Sequence, residues 1–348
     1  MEPGNRFESV HLEVLGEHVE QERTERGADG RRVRTRVLRD EARTVINRVE
    51  SPDLPFGWTL NPYRGCEHGC IYCYARPTHE MLGFSTGLDF ETRIMAKFDA
   101  PSLLREELAA ERWRGEPIMM AGVTDAYQPV EARLNITRGC LELIAQCRQP
   151  ISIVTKNRLI LRDLDLLGEL ARHDAVRVAV SVTTLDGELA GRIEPRATCP
   201  RDRLWVIRRL AGAGIPVTVM VGSVIPGLTD HELPGILKAA ANAGARSAGY
   251  ILLRLPHQVK ALFDEWLERC YPDRRDRVLG LVRQMRGGAL YDAAFSQRLR
   301  GTGPLAEQIH KTFEVFSRKY GLDGEPGAPS GGAFRRPAFS DQLSLFAG

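Results

Sequence analysis

The chain has 348 residues, of which 43% are hydrophobic and 27% are charged, and its formal net charge is +3. These values are typical of a globular protein with one sizeable core, and so small a charge does not by itself indicate nucleic-acid binding. No apolar run approaches the roughly 20 residues that span a membrane, and no apolar N-terminal signal precedes the seven cysteines. We therefore expect a cytoplasmic protein without membrane contact, whose thiols stay free to bind metal.

The first fifty residues are polar and mix both charges, and they include a basic run over residues 31–36. Such a composition buries little apolar surface, so we predict a charged extension over residues 1–50 that is flexible or partly extended. The basic run is more typical of a solvated segment than of a nucleic-acid-binding arm.

Three cysteines lie within eight residues, where Cys66, Cys70 and Cys73 follow the spacing C-x3-C-x2-C. Thiolates are the ligands of iron–sulfur clusters, and three of them leave one iron of a [4Fe-4S] cluster without a protein ligand. Gly65 and Gly69 allow the backbone to turn so that the three sulfurs converge. We therefore predict that the three cysteines hold a [4Fe-4S] cluster with one open iron.

A zinc site is the alternative for the same cysteines, with His68 or His79 as the fourth ligand. Zinc sites of this kind usually pair C-x2-C with a second, distant pair. The other four cysteines are scattered along the chain, so we predict a single cluster. Lone cysteines are more typical of buried apolar side chains than of catalytic residues.

From about residue 55 to residue 270, short apolar runs rich in β-branched residues alternate with amphipathic segments. This alternation predicts an α/β fold with a parallel sheet, and six such units predict a partial (β/α)6 barrel that is open on one side. The strands are predicted at residues 58–63, 118–122, 151–155, 176–182, 215–221 and 250–253.

Polar side chains follow several of these strands, at the end of the sheet where the active sites of such folds lie. Thr124, Lys156 and Ser181 follow or close the second, third and fourth strands, and Arg196 lies beyond the fourth. A cationic side chain suits a carboxylate and hydroxyl groups suit a ribose, so these four are candidate cofactor-binding residues. Each of them could instead cap the N-terminus of a helix, but their recurrence at successive strands favours a binding site.

After about residue 271 the alternation stops. Leu305, Ile309 and Phe313 have helical spacing, so we predict helices that cover the open side or the bottom of the barrel. Gly, Pro and Ser then dominate, which predicts a disordered tail. The predicted divisions of the chain are the charged extension 1–50, the barrel 51–270, the helical segment 271–321 and the flexible tail 322–348.

The cysteine spacing, with the aromatic Tyr72 before the last cysteine, resembles the signature of the radical S-adenosylmethionine (SAM) superfamily. This resemblance implies that SAM binds the open iron through its amino and carboxylate groups, and that the fold is a partial barrel. Residues 223–230 resemble the superfamily's G-x-I-x-G-x-x-E motif, in which Ile225 would contact the adenine. The match is partial, because Ser223 replaces the first glycine and Asp230 replaces the glutamate.

Within the superfamily, residues 45–260 resemble the spore photoproduct lyase-like branch, often labelled "DNA repair photolyase". Besides the cysteine loop, the resemblance rests on Thr155-Lys156, Ser181 and Glu194-Pro195. It implies that Lys156 and Ser181 contact SAM, that Tyr72 lies near the adenosyl group, and that Tyr74 occupies the position of a tyrosine implicated in radical relay. The branch has a hydrogen-donating cysteine where this chain has residues 121–125 and no cysteine, so repair of the spore photoproduct itself is not implied.

The resemblance implies a radical SAM enzyme, in which the cluster cleaves SAM reductively to a 5′-deoxyadenosyl radical. An electron donor of the flavodoxin or ferredoxin type is the expected partner. We hypothesise that the reaction serves nucleic-acid repair or modification. Two alternatives stay open: a radical SAM enzyme with a protein or small-molecule substrate, and a non-catalytic iron–sulfur sensor or adaptor. The candidate residues at the strand ends argue against the last, because an adaptor has no need of a SAM pocket.

The C-terminal residues Gln342–Phe346, with the sequence QLSLF, resemble the pentapeptide by which bacterial repair and replication proteins bind the DNA sliding clamp. A short extended segment of this kind places apolar side chains in pockets of its partner. The alternative is an apolar end that folds back onto the barrel. Binding to the clamp would favour a DNA or RNA substrate and would make the arginines of residues 274–286 candidate phosphate contacts.

Overall fold

The computed structural model describes residues 19–26, 30, 32–324 and 327–338. Eleven strands are described: β1 (Val19–Arg26), β2 (Arg32–Arg39), β3 (Ile46–Arg48), β4 (Trp58–Leu60), β5 (Tyr63–Arg64), β6 (Arg93–Ala96), β7 (Ile118–Met120), β8 (Ile151–Thr155), β9 (Val176–Ser181), β10 (Val217–Val224) and β11 (Ser247–Leu252).

Twelve α-helices accompany these strands in the described ranges: α1 (Asp89–Thr92), α2 (Ala100–Ala109), α3 (Glu131–Leu134), α4 (Ile136–Cys147), α5 (Leu164–Arg172), α6 (Gly187–Ile193), α7 (Pro200–Gly212), α8 (Leu233–Ala243), α9 (Val259–Cys270), α10 (Pro272–Gln284), α11 (Gln297–Arg300) and α12 (Gly303–Lys319). Short 3-10 helices span Arg76–Leu82, Arg158–Asp163 and Asp230–Glu232.

A seven-stranded sheet forms the centre of the molecule, in the spatial order β11-β10-β9-β8-β7-β4-β3. The six strands from β4 to β11 in this sheet run parallel, and β3 joins the edge antiparallel to β4. Alternate residues of β8 and β9 are fully buried and those between them are mostly half-buried. This pattern is expected where helices pack on one face of the sheet and the other face lines an open barrel. The predicted α/β fold with six parallel strands is confirmed.

A second, four-stranded sheet in the order β1-β2-β6-β5 brings the N-terminal region into the fold. The basic run contributes to β2, which pairs antiparallel with β1 and parallel with β6, and Val33, Val37 and Leu38 are buried there. The prediction of a solvated extension is therefore wrong for residues 32–39. Val33, Thr35 and Val37 alternate with arginines and supply the buried face of a strand, which the high charge of the segment conceals. Residues 1–18 lie outside the described residues.

The helices after residue 271 pack at the free β11 edge of the central sheet. Helix α10 packs on α9, and α12 packs on α8 and β11. They cover the open side of the barrel, which is one of the two positions that the sequence predicted. In the part of the chain that the structure describes, no helix is long and apolar enough to cross a membrane.

Residues 327–338, called the strap below, run across the N-terminal ends of the parallel strands. The Ser330 amide donates to the Asp174 carbonyl at 2.8 Å, and the Arg335 amide donates to the Cys147 carbonyl at 2.7 Å. Asp174 lies just before β9 and Cys147 lies just before β8. The strap therefore lies on the side of the sheet opposite to the strand ends that carry the candidate residues.

The strap is fixed by an aromatic side chain as well as by its backbone. Phe334 packs against Gly115, where a Cβ atom would stand 2.7 Å from Phe334 Cγ. The prediction of a disordered tail from residue 322 is therefore wrong for residues 327–338. Their Gly, Pro and Ser content suits an extended segment that other elements hold in place, and composition alone does not reveal those contacts. Gln342–Phe346 lie outside the described residues.

Candidate active site at the cysteine loop

The cysteine loop, residues 65–74, begins just after β5 and lies over the C-terminal ends of the parallel strands. The Gly65 carbonyl accepts a hydrogen bond from Thr124 Oγ1 at 2.6 Å, beyond the end of β7. The side-chain amide of Asn157, beyond the end of β8, donates to His68 Nε2 at 3.2 Å. The loop therefore lies at the edge of the sheet where a partial barrel carries its active site.

Two glycines in the loop are required by the backbone and by the space around them. Gly65 has a φ of 81° and Gly69 a φ of 67°, values in the left-handed region that other residues rarely adopt. A Cβ atom at Gly65 would stand 2.8 Å from the Phe90 carbonyl oxygen, and one at Gly69 would overlap Glu91 Oε2. The tight turns that the sequence predicts around the first two cysteines are therefore present.

The three loop cysteines are free thiols in an apolar environment. Cys66 and Cys73 pack with Ala75, Phe90 and Val123. Cys70 packs in a separate apolar cluster that includes residues of α6 and α9. Burial raises the pKa of the thiols of Cys66 and Cys70. A metal cluster would have to displace these protons when it binds, because the ligand is the thiolate.

The arrangement argues against the zinc alternative. Among the described residues, no three His, Cys, Asp or Glu side chains converge on a point that one metal ion could occupy. In a [4Fe-4S] cluster each cysteine binds a different iron, so its thiolates need not surround a single ion. His68 is held between Asn157 and Asp125, and His79 Nε2 is 2.9 Å from the Arg93 carbonyl oxygen. Because both histidines are held by protein groups, the three free thiols in their apolar surroundings fit a cluster better than they fit zinc.

Asp125 joins the loop to the ends of two strands, and sequence analysis did not select it. Its carboxylate accepts hydrogen bonds from Thr155 Oγ1 and from the Lys156 amide, both at 2.8 Å, and His68 Nδ1 lies 3.4 Å away. Burial lowers the pKa of His68 to about 4. The ring is therefore neutral at pH 7, and its Nε2 atom accepts the hydrogen bond from Asn157 while Nδ1 faces Asp125.

Glu194 joins the loop to the other side of the site. Its fully buried carboxylate accepts hydrogen bonds from Tyr72, from the Arg203 guanidinium and, at 2.8 Å, from Thr183 Oγ1. Lys156 Nζ is 3.9 Å from the same carboxylate. Burial alone would raise the pKa of Glu194, but Arg203, Lys156 and Tyr72 lower it to about 2. Glu194 is therefore ionised and holds a phenol and two cations around the strand ends.

The structure brings three of the candidate cofactor-binding residues to this cluster. Tyr72 is buried and its hydroxyl is 3.1 Å from Thr183 Oγ1. Lys156 Nζ is also 3.5 Å from the Gly222 carbonyl oxygen, at the end of β10. The Ser181 carbonyl accepts from Arg203 at 3.1 Å. A partly accessible amine beside hydroxyl groups is a donor set that fits the carboxylate and ribose of SAM.

The other candidates contact protein groups. Thr124 supports the cysteine loop through Gly65, as described above. Arg196 donates to the Glu91 carbonyl oxygen at 2.7 Å and to Thr35 Oγ1 at 3.2 Å. Ile225 is fully buried, and its amide donates to Thr229 Oγ1 at 2.9 Å. For Thr124 and Arg196 the structure thus describes contacts that hold the loop and its surroundings together.

Tyr74 follows the last loop cysteine, and 45% of its surface is exposed. The surface around Tyr74 is called the mouth of the site below. Its hydroxyl donates to the Gly122 carbonyl, beyond the end of β7. The Arg254 guanidinium stacks over its ring, 4.2 Å from the centroid. Residues 121–125, where the sequence lacks a cysteine, are therefore in direct contact with Tyr74 through a backbone carbonyl.

The sequence of the chain was compared with family models and with known proteins. The model of the Radical SAM superfamily matches residues 60–240, just over half of the chain. An uncharacterized protein of Mycobacterium tuberculosis is 38% identical over 245 residues, which cover 70% of this chain and 72% of that protein. An uncharacterized protein of Methanocaldococcus jannaschii is 28% identical over 238 residues, which cover 68% of this chain and 84% of that protein.

Solved structures of spore photoproduct lyase have a similar fold. The lyase complexed with dinucleoside spore photoproduct matches with a TM-score of 0.55 and 16% identity, over 82% of this chain and 78% of that chain. A mutant of the lyase with AdoMet and dinucleoside spore photoproduct bound matches with a TM-score of 0.52 and 14% identity, over 82% and 79% of the two chains. At this level of identity the similarity concerns the fold alone.

Proposed function

The chain belongs to the radical SAM superfamily, and from this premise we propose that it is an enzyme of nucleic-acid repair or modification. The family's cofactors are a [4Fe-4S] cluster and SAM. The observation that carries the proposal is the loop of three free thiols at the C-terminal ends of parallel strands. When bound, the cofactors supply reductive cleavage of the SAM C5′–S bond and the hydrogen-atom abstraction that follows.

In the proposed site, Cys66, Cys70 and Cys73 hold the cluster and the residues around Glu194 orient SAM. Lys156 presents its amine to the methionyl carboxylate, while Glu194 holds that amine near the ends of β8 and β10. Burial and the Glu194 carboxylate raise the pKa of Tyr72 well above its usual value. The phenol therefore keeps its proton and donates a hydrogen bond to Glu194, which fixes the aromatic ring beside Cys70.

A nucleic-acid substrate is supported by the fold and by the exposed aromatic ring of Tyr74. The solved lyase structures of the same fold contain dinucleoside spore photoproduct. In this chain Tyr74 is exposed at the mouth, where an unstacked base could pack against its ring. The chain has no cysteine in residues 121–125, so we propose a substrate or a final hydrogen donor that differs from those of the lyase.

Anaerobic reconstitution with iron and sulfide tests the proposal. The protein is reduced with dithionite in the presence of SAM, and 5′-deoxyadenosine and methionine are quantified. We expect both products from the natural sequence and neither from Cys70→Ala. Cys199→Ala is the matched control, because Cys199 is an exposed cysteine outside the loop, and it should retain cleavage. Cleavage by Cys70→Ala at the natural rate would contradict the proposal.

If the natural sequence does not cleave SAM, a second measurement is needed, because some enzymes cleave SAM only when their substrate is bound. SAM binding to the reconstituted protein is then measured by equilibrium dialysis, with Lys156→Met compared against Lys238→Met. Lys238 is exposed on α8, far along the chain from the site. We expect weaker binding only for Lys156→Met. No saturable binding of SAM by the natural sequence would favour a sensor or adaptor.

Two partners belong to the same proposal. A radical SAM enzyme needs a reductant, and we propose a donor of the flavodoxin or ferredoxin type. We also propose that Gln342–Phe346 bind a bacterial sliding clamp, which would hold the enzyme near DNA at a high effective concentration.

A further inference from the structure

Two arginines near the end of β11 form no ion pair among the described residues. Arg254 lies two residues after β11, and its guanidinium stacks on the Tyr74 ring at 4.2 Å. Arg286 is 3% exposed and donates to the carbonyl oxygens of Leu253 at 2.9 Å and Gln297 at 2.8 Å. Among the described residues, neither guanidinium lies within ion-pair distance of a carboxylate.

The nearby carboxylate of Asp53 is already bound to a third arginine. Arg298 Nε is 2.6 Å from Asp53 Oδ2, and hydrogen bonding to Arg298 lowers the pKa of Asp53 to about 2. The charge of Asp53 is therefore balanced by Arg298. Arg254 and Arg286 form no ion pair of their own among the described residues, although Asp292 lies close enough to favour the charge of Arg286.

Uncompensated charge in a partly buried position is unfavourable. Burial lowers the pKa of both Arg254 and Arg286, and the charge of Arg254 lowers the pKa of Arg286 further. The Nε atom of Arg286 is buried and has no hydrogen-bond partner. Proteins rarely keep such groups together unless an anion completes the site.

The surroundings indicate which anion this is. Tyr74 and Phe295 are 45% and 52% exposed, and Arg298 stacks on Phe295 at 4.9 Å. Arginines interleaved with exposed aromatic rings are typical of surfaces that bind single-stranded nucleic acid, where the rings stack on bases and the arginines contact phosphates. A guanidinium also matches two phosphate oxygens better than it matches a single acceptor.

We propose that Arg254, backed by the buried charge of Arg286, binds a phosphodiester group of the substrate beside Tyr74. The inference rests on the proposed function and specifies its substrate, which is a single-stranded or locally unstacked nucleic acid. It places the substrate backbone at the end of the last parallel strand, next to the cysteine loop. The reacting nucleotide then lies between this contact and the cofactors.

Paired changes in the protein and in the ligand test the inference. The probe is a fluorescent single-stranded oligonucleotide, and its anisotropy is measured with the full reconstituted chain and SAM, without reductant. A second probe replaces the central phosphodiesters by uncharged methylphosphonates. Arg254→Met is compared with the natural sequence, and Arg208→Met, on the exposed face of α7, is the matched control.

We expect Arg254→Met to bind the phosphodiester probe about tenfold or more weakly and to lose about one unit of salt slope. The natural sequence should discriminate against the methylphosphonate probe, and Arg254→Met should lose that discrimination. Arg208→Met should keep it. Arg254→Lys, which keeps the charge but lacks the planar fork, should lie between the natural sequence and Arg254→Met, and circular dichroism checks that each variant is folded.

Three results would overturn the inference. The first is equal discrimination between the probes by Arg254→Met and the natural sequence. The second is a loss of SAM affinity in Arg254→Met as large as its loss of oligonucleotide affinity, which would assign Arg254 to the cofactor. The third is no oligonucleotide binding by a natural sequence that cleaves SAM, which would also remove the nucleic-acid part of the proposed function. The first two leave that function standing.

Discussion

Glu194 is the single residue on which the arrangement of the cofactor side depends. Its carboxylate joins Tyr72 of the cysteine loop, Thr183 after β9, Arg203 of α7 and, at 3.9 Å, Lys156 after β8. Arg203 is 2% exposed, so its charge has little access to water. Removing the acidic partner would leave a buried cation uncompensated, which costs more than the pair contributes.

We expect Glu194→Gln to lower the free energy of unfolding by roughly 3–5 kcal/mol. Glu188→Gln is the matched control, because Glu188 is in an ion pair with Arg192 and its side chain is 72% exposed. The control should change stability by about 0–1 kcal/mol. Anaerobic denaturant unfolding of the cofactor-free chains measures both, and equal midpoints for the two variants would contradict the role given to Glu194.

At the scale of residues, the sequence predicts those functional side chains that lie close together along the chain. Cys66, Cys70 and Cys73 lie within eight residues, so their common purpose can be inferred before any fold is known. Asp125 and Arg203 were missed because a buried charge is defined by partners that are distant along the chain. Arg203 lies in a helix among other arginines and resembles a solvated residue until its contact with Glu194 is known.

At the scale of elements, the cysteine loop is held in place by side chains that pack against its backbone at Gly69. Glu91 occupies the space where a side chain at Gly69 would lie. The carboxylate of Glu91 forms ion pairs with Arg76 and with Arg196, each at 3.3 Å. Glu91 therefore cannot move away easily. The crowding by Glu91 excludes a side chain at Gly69, whereas its φ of 67° alone would cost a larger residue only roughly 1–2 kcal/mol.

We expect Gly69→Ala to lower the iron and sulfide bound per chain after reconstitution. Gly83→Ala separates the effect of crowding from that of the backbone, because Gly83 has a similar φ of 74° and no atom within 4 Å of a Cβ position. The control should bind iron as the natural sequence does and lose only roughly 1–2 kcal/mol of stability. Equal iron contents in the two variants would show that the contact with Glu91 does not matter.

The strap is the element whose order the amino-acid composition fails to predict. Its glycines, two prolines and serine indicate disorder, yet backbone hydrogen bonds and Phe334 fix it beneath the sheet. The six parallel strands of the barrel were predicted in the correct order because each is a short apolar run, although β11 begins at Ser247, three residues before its predicted start. The strap has no periodicity, and its order depends on Gly115, which leaves room for the aromatic ring.

We expect Phe334→Ala to lower the free energy of unfolding by roughly 1–3 kcal/mol, since Phe334 is half-buried. Val315→Ala is the control for removal of apolar atoms, because Val315 is 56% exposed on α12, and its effect should be within about 0.5 kcal/mol. Denaturant unfolding measures both changes. A Phe334→Ala midpoint equal to that of the natural sequence would mean that the strap adds nothing to the stability of the barrel.

At the scale of the whole molecule, the two ends of the parallel sheet have different tasks. The cysteine loop and the arginine pair occupy the C-terminal ends of the strands, whereas the strap crosses their N-terminal ends. The strands of the barrel keep these ends about 15–20 Å apart, at roughly 3.3 Å per residue. A partner bound beyond the strap would therefore leave the mouth of the site open to substrate.

The last described residue, Ala338, lies at the end of the strap, and Gln342 follows four residues later. Four residues span at most about 14 Å, so a clamp bound to Gln342–Phe346 would stand close to the strap and away from the mouth.

We expect saturable binding of the full chain to a purified bacterial sliding clamp by isothermal titration calorimetry. Binding should vanish for a chain that ends at Ala338 and for the double variant Leu343→Ala, Phe346→Ala. Both shortened and double-variant chains keep the strap, so their unfolding midpoints should equal that of the full chain. Saturable binding by the chain that ends at Ala338 would place the clamp contact elsewhere, and no binding by the full chain would remove the clamp from the proposed function.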